Sequence, residues 1–392
     1  MESAVKKRSI VGGLLTITIL IIGILSTRRP PESVVFNGKS LKNWALQMYA
    51  GDQRLRLEAT AQFRALGSNA VPGLVALLKT RDSFIRKGIW NAASKMPAPI
   101  KNAITTRVRP PDAARIRSTA ARSLAVIGPD AQGAVPALAH LLWKDESQGR
   151  LEAALALGAI GGYAVTDLIK AAESKDSNLR YASACGLGNV RSCDNALVFA
   201  LLKLGGDTNA GIAVPAGSGL SKLGTNALPA LKMALESREL ELRRQSTRAL
   251  GTIGAPRDEI VPLLLKMSND KEPLCRVQAI QTLGTSVVPN PVMVSGLVGA
   301  LNDPATEVRV AAIRGLQQGH RMAARAVPDL VRCLDDGSPV VRESAAQALG
   351  AFGTPAKSAL QRLIQAADEE DAKVRAAATA AIAKIDALEA PN

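Results

Sequence analysis

The sequence predicts an all-α chain: an α-solenoid of about eleven helical hairpins, preceded by one apolar helix that crosses a membrane. Three observations lead there. Arg243, Arg276, Arg309, Arg342 and Arg375 stand 33 residues apart, and each opens a block of the same kind: RRQSTRALG, RVQAIQTLG, RVAAIRGLQ, RESAAQALG and RAAATAAIA. The chain is 47% hydrophobic but only 3% aromatic, so burial rests on Ala, Leu, Val and Ile, which suits close helix packing better than an aromatic β core. Within each block small and aliphatic residues recur at helical spacing up to a Gly, and a second apolar helix then commonly opens with Pro, as in AVPGLVALL, AVPALAHLL and AVPDLVRCL.

At the N-terminus, residues 1–8 form a basic head. Residues 9–27 (SIVGGLLTITILIIGILST) carry no charge and lie between Lys6, Lys7 and Arg8 on one side and Arg28 and Arg29 on the other. A helix of that length spans roughly 28 Å, against a hydrocarbon thickness of ~30 Å. A cleaved signal peptide has the same outline, but the run ends in Leu25-Ser26-Thr27-Arg28-Arg29-Pro30-Pro31 without an A-x-A site, which favours an uncleaved anchor. Three positive charges in the head favour a cytoplasmic N-terminus and an extracytoplasmic bulk domain, although Arg28, Arg29, Lys39 and Lys42 weigh on the other side. Pro30 and Pro31 stop the helix. Residues 28–40 then read as a linker, 41–386 as the repeat region and 387–392 as a tail.

Earlier copies of the repeat begin at Arg117 (RSTAARSLA), Arg150 (RLEAALALG) and Arg180 (RYASACGLG). A copy without arginine covers Ala216 to Gly224, a first one ends at Leu66-Gly67, and a degenerate one covers Phe84 to Met96. The Gly after each first helix is expected to supply a positive-φ stop, and Pro72, Pro136, Pro229, Pro262 and Pro328 to sit in the first turn of the next helix. One hairpin cannot bury its own apolar face, so the units must stack. Asp270, Asp303 and Asp336 precede Arg276, Arg309 and Arg342 at a constant offset. That offset places each Asp in the inter-repeat turn, capping the coming helix, and each Arg on that helix's first turn, within reach of a neighbouring unit's carboxylate. Arg117, Arg150, Arg180, Arg243, Arg276, Arg309, Arg342 and Arg375 are therefore read as a structural ladder; an anion-binding stripe carries less weight because the arginines come paired with acids.

The blocks VRxxAAxALGxxG followed by AVPxLxxLL resemble HEAT-type repeats, in the short bacterial form called PBS lyase HEAT-like, over roughly residues 50 to 386. The T-P-L-H-x-A signature of ankyrin units and the Trp/Gly/Tyr/Pro pattern of tetratricopeptide units are absent from the sequence. Phe36 to Trp44 (FNGKSLKNW) followed by Tyr49 is similar to a leader of membrane-anchored bacterial HEAT-repeat proteins. Some proteins of HEAT-like architecture are enzymes. Deoxyhypusine hydroxylases hold two irons with His-Glu pairs, whereas here His140 is followed by Leu141 and His320 by Arg321. Neither histidine has a metal-binding partner at helical spacing, so no metal site, cofactor or enzymatic activity is expected. Phycobilin lyase subunits share the repeat type, but the repeat alone carries no bilin motif. Cys185, Cys193, Cys275 and Cys333 show no C-x-x-C spacing and read as buried inert thiols, with a Cys185–Cys193 pair as the alternative in an oxidising compartment. The sequence contains no phosphate-binding or serine-nucleophile motif.

The net charge of +15 is unevenly placed. Residues 1–120 hold 20 basic and 6 acidic side chains, and the remainder hold 29 and 28. Lys95, Lys101, Arg107, Arg109 and Arg115 fall in a segment, about 95–115, with Pro97, Pro99, Pro110 and Pro111. It reads as an extended basic insertion, either merely solvated or set against anionic lipid headgroups. The expected function is a membrane-tethered scaffold that binds a protein or peptide on the surface lined by its second helices. The alternative is an anionic-polymer binder, taking nucleic acid or anionic lipid on the basic N-terminal repeats. The charge-balanced remainder of the chain disfavours nucleic acid.

Overall fold

The computed structural model describes residues 35–108, 110, 112–145, 148–285, 291–319 and 324–387. The expected anchor at 9–27, together with Arg109 and His320, lies outside the described residues. Among those described, no helix is long and apolar enough to cross a membrane. The chain divides into two compact units, one ending at Ala156 and one starting at Leu157.

The first unit opens with the short antiparallel strands β1 (Val35–Phe36) and β2 (Lys39–Ser40). Asn37 and Gly38, both at positive φ, form the turn between them. Ser40 Oγ accepts the Asn43 N–H and caps α1 (Leu41–Gln47). On α1 the buried Trp44 donates its Nε1–H to the Phe36 carbonyl at 2.8 Å, fastening the hairpin to the helix. There follow α2 (Gln53–Leu66), α3 (Val71–Leu78), α4 (Phe84–Ser94), α5 (Ala98–Arg107), α6 (Ala113–Ile127), α7 (Val135–Lys144) and α8 (Gln148–Ile160), within which the division falls.

The packing order in this unit departs from chain order. Helices α1, α2 and α3 all pack on α6, and α3 also meets α7. The stack thus passes from the α2/α3 hairpin directly to α6/α7, while α4 and α5 pack chiefly on each other. The Asp82 carboxylate closes the base of this excursion, accepting the N–H groups of Asp112 at 3.0 Å and Ala113 at 3.1 Å. This corrects two expectations. Phe84 to Met96 is not a degenerate stacking unit, and the basic insertion is not extended but a helical hairpin. Pro97 and Pro99, read as signs of an extended chain, instead sit at the N-cap and in the first turn of α5, where proline needs no N–H and its fixed φ suits a helix.

The second unit continues with α9 (Val165–Ala172), α10 (Ser177–Leu187), α11 (Asn195–Gly205), α12 (Ala210–Leu223), α13 (Leu228–Leu235), α14 (Leu240–Leu250), α15 (Arg257–Met267), α16 (Pro273–Gly284), α17 (Pro291–Gly299), α18 (Thr306–Gln318), α19 (Val327–Arg332), α20 (Pro339–Phe352), α21 (Leu360–Ala366) and α22 (Ala372–Ala387). First helices pack on the next first helices: α10 on α12, and α14, α16, α18, α20 and α22 in series. Second helices α9, α11 and α13 do the same. The buried residues are almost all Ala, Leu, Val and Ile, as a thin layer shared between neighbouring hairpins requires.

Two local expectations change. The glycine directly after the last Leu of a block is the positive-φ stop at Gly67 (φ 52°), ending α2, and at Gly224 (φ 59°), ending α12, but not at Gly284 or Gly350. A Cβ on Gly284 would lie 2.5 Å from the Gly315 Cα, so this position lets α16 and α18 touch backbone to backbone. In α20 the stop comes three residues after Gly350, at Gly353 with φ 65°. Pro72, Pro136, Pro229 and Pro328 occupy first turns, but Pro262 lies inside α15, which starts five residues earlier at Arg257.

Candidate functional site

In the second unit Arg180, Arg243, Arg276, Arg309 and Arg342 each reach in two directions. Arg276, near the start of α16, donates from Nε and Nη2 to the Asp303 carboxylate at 2.7 and 2.8 Å, and from Nη1 to the carbonyls of Asp270 and Lys271 at 3.0 and 3.2 Å. Arg309 treats Asp336 and the carbonyls of Asp303 and Pro304 in the same way, and Arg243 pairs with Asp270. Each Asp is therefore held by its carboxylate to the preceding unit's arginine and by its carbonyl to its own. Oδ1 also accepts the N–H two residues ahead, at Glu272, Ala305 and Ser338. The turn is thereby closed just ahead of the helix, which differs from the expected cap: the N-cap residues are Glu272, Ala305 and Ser338 themselves.

Spacing alone would have found further ladder acids. Arg180 donates to Asp207 at 2.6 Å, Arg342 to Glu369 at 2.8 Å and Arg117 to Asp145 at 2.8 Å. The first two lie 27 residues after their arginines, as Asp270, Asp303 and Asp336 do. Arg375 uses Nη1 on the carbonyls of Glu369 and Glu370, and Arg150 is buried. The Arg180 hydrogen bond holds the Asp207 carboxyl below its usual range. For Asp270, Asp303 and Asp336, burial pushes the carboxyl up, but the arginine hydrogen bond, the backbone N–H and the nearby positive charges outweigh it, and the net shift is downward. Arg243, Arg276 and Arg309 thus each engage Nε, Nη1 and Nη2 with acceptors of the stack.

Arg117 shows where the insertion enters. In other units the guanidinium reaches carbonyls five and six residues back, but Arg117 reaches Thr80, 37 residues back, at 3.0 Å. The α4/α5 hairpin thus interrupts an inter-repeat turn without disturbing the ladder. It is joined across its middle by Trp90 Nε1–H donating to the Val108 carbonyl at 3.2 Å. Lys95 and Lys101 sit exposed at its tip, and Arg107 ends α5. Arg115 is separate, exposed on α6 in the stack proper.

Between the second helices α3 and α7 runs an open groove of about 790 Å³. Val75, Pro136 and Ala137 give it apolar surface above the buried Leu78 and Leu141, and the exposed Lys79, Arg81 and Lys144 add cationic groups beside His140. Tyr49, beyond α1, was noted in the sequence only as part of the leader. Its Oη–H donates to Glu152 at 2.6 Å, Arg122 pairs with the same carboxylate at 2.7 Å, and the guanidinium lies over the Tyr49 ring at 4.1 Å. Burial first, and then the Glu152 hydrogen bond and charge, push the Tyr49 phenol well above its ordinary range. The cluster clamps the leader onto α6 and α8. The four cysteines are free thiols; Cys275 and Cys333 are buried, but Cys185 and Cys193 are partly exposed, against the expectation of burial for all four. Among the described residues, no group of His, Cys, Asp and Glu could hold a metal ion.

Residues 294–383 match the HEAT repeats family, residues 260–286 the HEAT repeat and residues 149–174 the PBS lyase HEAT-like repeat. Among curated proteins none matches. Similar solved structures include an engineered protein at 21% identity, covering 88% of this chain and 98% of its own (TM-score 0.34). Importin beta is 14% identical over 90% of this chain and 56% of its own (TM-score 0.41). The complex of CpcE and CpcF of phycocyanin lyase from Nostoc sp. PCC7120 is 25% identical over 40% of this chain and 99% of that one (TM-score 0.34). Apart from the small β1–β2 hairpin, the described residues form helices in both units.

Proposed function

We propose that this chain is a membrane-tethered, non-catalytic HEAT-repeat scaffold that docks a protein or peptide on its second-helix face, with the bulk domain outside the cytoplasm. The observation that carries the docking reading is the α3/α7 groove. It offers apolar surface at Val75, Pro136 and Ala137 beside the exposed Lys79, Arg81, His140 and Lys144. A segment with apolar anchors and carboxylates complements both features. The uncharged run at 9–27 between basic flanks supports the tether.

The test uses the full chain in nanodiscs and fluorescence anisotropy of labelled amphipathic peptides, one rich in Glu and Leu and one rich in Lys and Leu. Selective binding of the acidic peptide, weakened roughly tenfold by Lys79→Glu with Lys144→Glu, is the expected result. Equal binding of both peptides, or of neither, ends the groove reading. Tight, steeply salt-dependent binding of duplex DNA would favour the polyanion alternative instead. A reporter fused at the C-terminus reads the compartment.

A further inference from the structure

The α4/α5 hairpin takes no part in the stack, and its outer end has an unusual surface. Lys95-Met96-Pro97-Ala98-Pro99-Ile100-Lys101 is exposed at every residue, with Met96 40% and Ile100 51% accessible. Five consecutive apolar residues therefore stand in solvent between two lysines. The rest of the excursion adds positive charge and none of the opposite sign: residues 83–111 contain Arg86, Lys87, Lys95, Lys101, Arg107 and Arg109 and no Asp or Glu. The hairpin is a fixed projection rather than a loose loop. Asp82 closes its base through two backbone hydrogen bonds, and Trp90 bonds across it.

We propose that this tip is a membrane-interface anchor, in which Met96, Pro97, Ala98, Pro99 and Ile100 enter the boundary between headgroups and acyl chains of an anionic bilayer while Lys95 and Lys101 stay at the phosphates. Two prolines hold the tip in shape before contact, so little conformational freedom is lost on insertion. Paired lysines at the ends of a short apolar run extend their charged heads back to the interface. Lys95 and Lys101 at the tip draw it to anionic lipid, each contributing an increment near the surface, whereas Arg86 and Lys87 at the base face Asp112 and Asp82. A tip exposed at every residue gives a peptide no groove to lie in, and a nucleic acid would leave the five apolar residues unburied. Anionic lipid satisfies both halves of the surface. The inference shares a membrane with the proposed tether but uses different residues, so the two can fail independently.

The probe is Ala98→Trp in the full chain, reconstituted in phosphatidylcholine vesicles with or without phosphatidylglycerol, with acyl chains brominated to quench tryptophan. Emission is read as the difference from the parent chain, which carries Trp44, Trp90 and Trp143. The expected result is a blue-shifted, quenched signal from the introduced indole in the anionic vesicles. Lys95→Glu with Lys101→Glu should lower the tip's partition constant by at least about thirtyfold, the loss expected for two surface charges before the repulsion of the new carboxylates is added. Because the tip is exposed at every position, these changes leave helical circular dichroism unchanged, which serves as the folding check. An unquenched signal at the solvent position, quenching indifferent to phosphatidylglycerol and to charge reversal, or a shift produced by single-stranded DNA and not by vesicles would each overturn the proposal. Flotation of the parent chain with neutral vesicles reports the tether independently of the tip.

Discussion

Truncating one rung of the ladder tests whether these ion pairs hold successive HEAT units together. Arg243 is 5% accessible. Its guanidinium donates to Asp270 at 2.8 and 3.1 Å and to the carbonyls of Ser237 and Arg238 at 3.0 and 3.1 Å. Arg243→Ala removes all four bonds and leaves a buried carboxylate with the Glu272 N–H as its remaining close donor. Breaking a buried pair from one side costs ~3 to 5 kcal/mol, and the position of this pair at the edge of the stack, where water can enter, argues for the lower end, about 3 kcal/mol. In a repeat protein that loss falls on the interface concerned rather than on the whole chain. Native-state hydrogen exchange of the full chain should therefore show amides of α14 and α16 losing protection by about a hundredfold, with distant units changed far less. Asp270→Ala alone should cost a similar amount, and the double variant about 2 kcal/mol less than the two singles together, because no uncompensated charge then remains. Protection in α14 and α16 unchanged within a factor of about three, a loss spread evenly over every unit, or strictly additive variants would each refute the reasoning.

Gly284→Ala should lower stability by about 2 to 3 kcal/mol in urea unfolding, because the added carbon meets the Gly315 Cα at 2.5 Å and no side chain is there to yield. Gly299→Ala, with open space around it and negative φ, is the control and should change nothing or stabilise slightly. The carboxyls of Asp207, Asp270, Asp303 and Asp336 titrate lower in the folded than in the unfolded chain. Their contribution is thus complete above the unfolded value of about 4 and is lost as pH falls through the folded values, so urea midpoints flat from about pH 7 to 5 should drop below about pH 4; a rise on acidification would contradict the pairing. Burial raises all four thiols, but it pushes the fully buried Cys275 and Cys333 up to about 11, while Cys185 and Cys193 stay partly open to solvent. A disulfide reagent at about pH 8 should therefore modify Cys185 and Cys193 in the native chain and reach Cys275 and Cys333 only after unfolding; equal rates would speak against it.

The stack was legible because its period is carried by one residue type. A chain of arginines every 33 residues announces hairpins in register, and the 27-residue step from Arg180 to Asp207 or from Arg342 to Glu369 was available in the same numbers. The glycine roles were not. A Gly that permits backbone contact, such as Gly284, and one that ends a helix, such as Gly353, look alike until the neighbouring helix is in place. The insertion was misread for a related reason. Phe84, Ile85, Trp90 and Ile100 have the apolar character of a repeat core, and only the packing shows Phe84 at 89% and Ile100 at 51% accessible, outside the stack. What decides the matter is a long-range hydrogen bond. Carbonyls ahead of each first helix receive the ladder arginine here, so an excursion keeps that contact where the chain leaves and returns to the same turn. Thr80 supplies that carbonyl to Arg117, and Asp82 ties the returning chain at Asp112 and Ala113. The same turn therefore keeps the repeat register and fixes the base from which the cationic hairpin projects, and loosening Asp82 would be felt at both.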